Sequence, residues 1–202
     1  MTEILSPADR RRILDALRDK YMQVAASPAG RFRYPTGREG LDALDYPTEI
    51  LASLPAPVLD YFCGVGNPFS LGPLQSGEYV LDVGCGAGVD SLVAALMVGP
   101  SGRVAGVDLI PEMLARARDN LAQTPLAHVI FLAAAADHLP FPDAVFDVVI
   151  SNGVLNLVVD KPQALREVRR VLKPGGRLQI ADQILAGELP QDTASLVAAW
   201  AR

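Results

Sequence analysis

Hydrophobic residues fall into two rhythms along the chain. Near the N-terminus Ile13, Leu17, Tyr21 and Val24 recur at helical spacing. Ser6 precedes them as an N-cap and Pro7 takes the first helical position, so a helix is expected from there to about Ser27-Pro28. The next stretch, PAGRFRYPTGREGLDALDYP (28–47), is rich in Pro, Gly and Arg and reads as irregular. A short helix over Thr48 to Leu54 should follow. Residues 1–75 are expected to form a helical appendage or lid, with residues 76–202 as the core.

From Tyr79 the rhythm changes to short apolar runs alternating with helical patterns. Tyr79 to Val83 reads as a strand, followed by a glycine turn and a helix through Ser91 to Val98, stopped by Gly99 and Pro100. Arg103 to Val107 is a second strand ending in Asp108, and Pro111 opens a helix to about Leu121. His128 to Leu132 and Phe146 to Ile150 are the third and fourth strands. The continuous FDVVI run of the latter fits a strand buried on both faces. Pro162 opens a helix with Leu165, Val168 and Leu172 on one side, and KPGG (Lys173 to Gly176) turns the chain into a fifth strand, Arg177 to Ala181. Strands alternating with helices at this spacing predict an α/β fold, a doubly wound and mostly parallel sheet. Ligands bind such sheets outside the carboxyl ends of the strands.

The totals fit one domain and narrow its partners. The chain has 202 residues and a net charge of −5, which gives no general attraction to nucleic acid or anionic lipid. No apolar run reaches membrane-spanning length, and the N-terminus lacks signal-peptide order. The expectation is a cytoplasmic protein with neither membrane nor nucleic-acid partner. Two cysteines, Cys63 and Cys85, make neither a disulfide framework nor a metal cluster.

Chemistry concentrates in VLDVGCGAGVD, residues 80–90. Gly84 and Gly86 match the first two glycines of a dinucleotide turn, but Val89 stands where the third belongs. No Gly-Lys-Ser/Thr follows, so it is not a P-loop. Asp82 would repel a diphosphate and favour an ammonium or sulfonium group. Asp108, 24 residues beyond Gly84, ends the next strand where a carboxylate can accept from ribose hydroxyls. A ribose beside a cationic, amine-bearing group, without a diphosphate, describes S-adenosylmethionine.

VLDVGCGAGVD, GVDLIPEML, HLPFPDAVFDVVISN and RVLKPGGRLQIAD together resemble the successive motifs of class I S-adenosylmethionine-dependent methyltransferases, over about Tyr79 to Asp182. The likeness is greatest to the arsenite methyltransferase-like branch, through CGVGNPFSLGPLQSGEYVLDVGCGAG and ISNGVLNLVVDKPQALREVRRVLKPGGRL. It implies a Rossmann-like methyltransferase fold and S-adenosylmethionine as cofactor. Gly84 and Gly86 would admit its methionine part, with Asp82 near the amino group and Asp108 on the ribose. Leu109 and Met113 would pack on adenine, and Ala136 and Asp137 would meet its edge. Ser151 and Asn152 would end the fourth strand beside the methyl. Asn152 and His138 are the candidate catalytic residues. Ile110 departs from the Thr or Ser common there as a helix cap.

The resemblance also places cysteines of the arsenic site directly after the Asn of ISN and before GNP. Here those positions are Gly153 and Val65. One thiol, Cys63, cannot make a multi-sulfur site. The expectation is methyl transfer to a small-molecule acceptor other than arsenite, with a non-catalytic S-adenosylmethionine-binding module as the alternative. After Asp182 the sequence leaves no room for the closing strand hairpin of the family, only one more helix around Leu196, Val197 and Trp200. An edge left open in this way invites a homodimer.

Overall fold

The computed structural model describes residues 5–184 together with Gly187, Ser195 and Trp200. Helix α1, Pro7–Ala26, begins with a capping box. The Asp9 amide donates to the Ser6 hydroxyl, and the Asp9 carboxylate accepts from the Ser6 amide, each at 3.2 Å. Ile13, Leu17, Val24 and Ala25 form its buried side.

The segment expected to be irregular is not wholly so. It contains α2, Gly37–Ala43, because Leu41 is fully buried there and Tyr46 just beyond it is 3 % exposed. Arg38 and Asp42 add an i,i+4 ion pair at 2.8 Å. The helix expected over Thr48 to Leu54 is shorter. It is the single turn α3, Thr48–Leu51, and a second turn, α4, Ala56–Leu59, follows Pro55.

Five strands form one sheet among the described residues: β1 Tyr79–Val83, β2 Arg103–Asp108, β3 Val129–Ala133, β4 Phe146–Asn152 and β5 Leu172–Ala181. Their order is β3-β2-β1-β4-β5 and every pairing is parallel. Helices α5 (Val89–Val98), α6 (Pro111–Leu121) and α7 (Lys161–Val171) are the crossovers and cover both faces. Alternation along β1 sends Val80 to one face and Leu81 and Val83 to the other. Val80, Val104 and Ile150 pack with Leu92 and Val93 of α5, and with Leu41, Leu51 and Phe62 of the N-terminal segment. Leu81, Val107 and Val149 pack with Val168 and Val171 of α7. The N-terminal segment thus shares the core of the sheet. Both faces of β1 and β4 are covered, as the FDVVI run predicts.

Two sequence details differ in the fold. Leu165 is 45 % exposed, and the inward stripe of α7 is Ala164, Val168 and Val171. KPGG lies inside β5: Phe146 pairs with Leu172 and Val148 with Arg177, so the extra residues bulge out of the ladder. The helix expected around Leu196 and Val197, and the absence of a hairpin, lie outside the described residues. Trp200 is described, and its indole N–H donates to the Leu157 carbonyl at 2.7 Å. No described helix is long and apolar enough to cross a membrane.

The sheet order reverses at β1, which has β2 on one side and β4 on the other. That crevice lies at the carboxyl ends of the strands, where the glycine turn sits.

Candidate functional site

The turn after β1 is fastened to the end of β2. The amides of Gly84 and Cys85 both donate to the Val107 carbonyl, at 2.8 and 2.9 Å. The Gly86 amide donates to Asp108 Oδ2 at 2.9 Å, and the Ile110 amide donates to Oδ1 at 2.8 Å. One carboxylate therefore ties the turn to the start of α6, and supplies the anchoring that Ile110 lacks as a cap. Gly84 and Gly88 have left-handed φ angles of +76° and +83°. A side chain on Gly84 would meet Val154, and one on Gly88 would lie 2.7 Å from the Phe131 ring. Only glycine fits both the conformation and the space.

Above the strand ends lies a cavity of about 390 Å³. Eight of the residues expected at the site line it: Gly84, Gly86, Asp108, Leu109, Met113, Ala136, Asp137 and Asn152. The roof comes from one face of α1, with Leu14, Leu17 and Tyr21, and from the loop Tyr61 to Gly64. The Arg116 guanidinium stacks on Tyr61 at 4.3 Å and donates to the Ala25 carbonyl at 3.2 Å, joining α6 to both parts of the roof.

Asp82 and Ser151 stand one layer behind the lining. Asp82 is 2 % exposed and accepts from the Ser91 hydroxyl at 2.6 Å, and Ser151 donates to the Val83 carbonyl at 2.9 Å. His138 is exposed and outside the lining.

Asn152 lines the cavity but is engaged on all sides. Its Oδ1 accepts from the amides of Val65 and Gly66 at 2.9 and 3.1 Å. Its Nδ2 donates to the Gly66 carbonyl at 2.7 Å and to Asp90 Oδ2 at 2.9 Å. Asp90 Oδ1 accepts from the Tyr46 hydroxyl at 2.6 Å. Sequence reasoning missed Asp90 and Tyr46. The available signal was an acid directly after the glycine turn, in the first turn of a helix that points its amides at the crevice.

Burial governs the titration of these groups. Asp82 is pushed up to about 8 by burial, with the charge of Asp90 adding to it. Asp90 is raised by burial to about 6, against the hydrogen bonds from Tyr46 and Asn152. Burial also raises Asp108, opposed by the amides of Ile110 and Gly86. Cys63 is pushed up to about 12 by burial and by the charges of Asp90 and Asp108, so its thiol stays protonated at neutral pH. Two buried acids, one facing the cavity and one behind it, make this end favourable to a cation. No group of three or more His, Cys, Asp or Glu that could hold a metal occurs among the described residues.

A glycine turn at the switch point of a parallel sheet, with an acid ending the neighbouring strand, defines a nucleoside-binding α/β domain. A family model described as a methyltransferase domain matches residues 74–201. An arsenite methyltransferase of Halobacterium salinarum is 41 % identical over 157 residues, which are 78 % of this chain and 40 % of that protein. A demethylmenaquinone methyltransferase of Listeria monocytogenes is 42 % identical over 109 residues, 54 % of this chain and 46 % of that protein. The crystal structure of an arsenic(III) S-adenosylmethionine methyltransferase from Chlamydomonas reinhardtii superposes with a TM-score of 0.57 at 35 % identity, covering 79 % of this chain and 52 % of that one. The chain therefore belongs to the methyltransferase-domain family, as a class I S-adenosylmethionine-dependent member related to the arsenite methyltransferase-like branch. It spans less than half the length of these two curated relatives.

Proposed function

We propose that the chain binds S-adenosylmethionine along this cavity and transfers its methyl group to a small-molecule acceptor other than arsenite. The observation that carries the reading is Asp108. Each of its oxygens already accepts one backbone amide, which fixes the carboxylate, and each keeps a lone pair for a ribose hydroxyl. Leu109 and Met113 would then hold the adenine, with Ala136 and Asp137 at its edge. The backbone of Gly84 and Gly86 would lie along the methionine part, and Asp90, backed by Asp82, would receive its ammonium group.

The cofactor supplies an electrophilic methyl on a sulfonium. The acceptor's lone pair forms the new bond to carbon while the carbon–sulfur electrons leave with sulfur, and any acceptor proton passes to water. The chain aligns and dries the site. In this reading α1 and the loop Tyr61 to Gly64 are the lid, while Leu41, Leu51 and their neighbours pack into the core of the cofactor-binding sheet. Asn152 is a positioning residue: it holds the Val65–Gly66 backbone and Asp90 in place. Ser151 fixes the end of β4. Val65 and Gly153, where the resemblance to arsenite methyltransferases implies thiols, together with a protonated Cys63, leave no soft ligand set for arsenic. Free thiols and the net charge of −5 suit a cytoplasmic enzyme with no nucleic-acid partner. β5 has one neighbour among the described residues, and its outer edge is where a second copy would pair in a homodimer.

Titration calorimetry tests the cofactor. S-adenosylhomocysteine should bind and NAD should not, and Asp108→Ala should weaken S-adenosylhomocysteine about 100-fold, the loss of two charge-assisted hydrogen bonds. Binding of NAD instead, or unchanged affinity in Asp108→Ala, overturns the reading.

A further inference from the structure

The roof helix α1 turns one face into the main cavity: Arg10, Leu14, Leu17 and Tyr21, at helical spacing. Tyr21 packs against two apolar clusters at once. One holds Ala87, Ile110 and Met113, beside the seat assigned to the cofactor. The other holds Ile13 and Leu17, with Leu157 and Val159 packed on it. Tyr21 therefore stands where the two halves of the cavity meet. Val154 joins them from the sheet side, since a side chain on Gly84 would run into it. Leu157 and Val159 line the same cavity as Gly84 and Asp108, so the two halves are one continuous space.

The Tyr21 hydroxyl makes no hydrogen bond among the described residues, unlike Tyr34, which donates to the Cys63 carbonyl at 3.1 Å, and Tyr46, which donates to Asp90 at 2.6 Å. The fully buried side-chain atoms left without a partner belong to Glu112, Asn120, Asn156 and Gln179, so the Tyr21 hydroxyl is not sealed in protein and opens to the cavity. Burial, and then the charges of Cys63, Tyr34, Asp108 and Asp182, raise its pKa, so it stays a protonated hydroxyl at neutral pH, able to accept and to donate. Leu14, on the same helix face, lines the cavity and is still 42 % exposed. Covering such hydrocarbon is favourable. The charged groups of the lining have other places. Asp90, Asp108 and Asp137 belong to the cofactor seat in the reading above. Arg10, the one cation in the described lining, is about 16 Å along α1 from Tyr21 and is already engaged. Lys20 approaches the Tyr21 ring centroid to 5.8 Å but does not line the cavity. An anion at Tyr21 would thus face Asp90 and Asp108 with no cation of the lining within reach.

We infer that Tyr21 holds the nucleophile of the methyl acceptor, and that this acceptor is an uncharged molecule whose apolar body lies along Leu14, Leu17, Leu157 and Val159. The inference rests on the S-adenosylmethionine reading, which places the methionine part beside Gly84. The acceptor's O–H or N–H donates to the Tyr21 oxygen, and a lone pair on the same oxygen or nitrogen is left for the methyl. That lone pair forms the bond to carbon, the carbon–sulfur pair leaves with sulfur, and the acceptor's proton passes to water. Tyr21 keeps its own proton throughout and orients the acceptor.

The test uses calorimetry on the full chain, first with S-adenosylhomocysteine and then, with and without that ligand, with small aromatic probes. 4-Propylphenol should bind about fivefold more tightly than propylbenzene, the net effect of one neutral hydrogen bond. Tyr21→Phe should abolish that preference while leaving propylbenzene unchanged, an outcome that a merely structural role of Tyr21 does not give. Affinity along the 4-alkylphenols from methyl to butyl should rise about fourfold per methylene, and Leu14→Asn should flatten that rise. 4-Propylbenzoate should bind at least about tenfold more weakly than 4-propylphenol. Three results overturn the proposal: a phenol preference that survives in Tyr21→Phe, affinity independent of alkyl length, or the benzoate binding as tightly as the phenol. If S-adenosylhomocysteine fails to bind while both variants act on the probes as expected, the cofactor reading fails and the Tyr21 site stands.

Discussion

Replacing Asp90 by Asn removes one buried negative charge from the cavity while keeping the side chain's size. Asp90 accepts from Tyr46 at 2.6 Å and from Asn152 at 2.9 Å. In Asp90→Asn the new amide oxygen can keep one of these donors. The new NH₂ meets the other donor, at a cost of about 1 kcal/mol in stability. An ammonium about 4 Å from a carboxylate gains about 4 kcal/mol at an effective dielectric near 20. With Asp82 behind it taking over part of the role, about 2 kcal/mol should be lost, or about 30-fold in affinity. Calorimetry at pH 8 with S-adenosylhomocysteine reads this loss. 5′-Methylthioadenosine, which lacks the amino-acid part, serves as control and should bind Asp90→Asn as it binds the wild type. The pH dependence has a fixed sign. Asp90 and Asp82 are raised in the folded chain to about 6 and about 8. Their contribution to stability is therefore full below the free carboxylate range and is lost as pH rises through 6 and 8. The unliganded protein should lose Tm from pH 5 to 8, while its affinity for S-adenosylhomocysteine rises over the same window as the acids ionise. Asp90→Asn should flatten the lower part of both curves. Equal losses for both ligands, or no loss for either, would refute a role for Asp90 at the ammonium.

Three further perturbations follow from the same geometry. Asp108→Ala leaves the Gly86 and Ile110 amides without their partner, so urea unfolding should show a loss of about 2 kcal/mol besides the affinity loss, and Asp108→Asn should recover part of both. Gly84→Ala puts a side chain against Val154 at φ +76° and should cost more than about 1 kcal/mol in the same assay, whereas Gly175→Ala, with open space around it, should cost only the strain of its own φ of +82°. Asn152→Ala releases the Val65–Gly66 backbone. Stopped-flow release of S-adenosylhomocysteine should quicken about tenfold, and its effect should be non-additive with Asp90→Asn because the two side chains share a hydrogen bond.

The parts of the fold that were legible in the sequence are those fixed by local chemistry. β1 and the helix from Pro111 to Leu121 begin and end where apolar runs, Pro and Gly place them. α2 was not legible: glycines at 37 and 40 lower its propensity, and the burial of Leu41 by distant residues restores it. Leu165 was misplaced because a helix stripe read from three residues tolerates a shift by one, and Ala164 fills the inward position. At the site, Gly84, Gly86 and Asp108 were readable because strand ends and turns carry them together. Asp90 and Tyr46 were not, and Asn152 was readable as a site residue but its partners were not, since their bonds join residues 44 to 106 apart in sequence. Asp82 was legible as an acid, but its burial behind Ser91 is a property of packing.

The central claim is that the crevice between β1, β2 and β4 seats S-adenosylmethionine. A crystal structure with S-adenosylhomocysteine tests it most directly. The ribose hydroxyls should lie within hydrogen-bond distance of both Asp108 oxygens, with adenine beside Leu109 and Met113 and the ammonium facing Asp90. A ligand bound elsewhere, or a ribose away from Asp108, would contradict it.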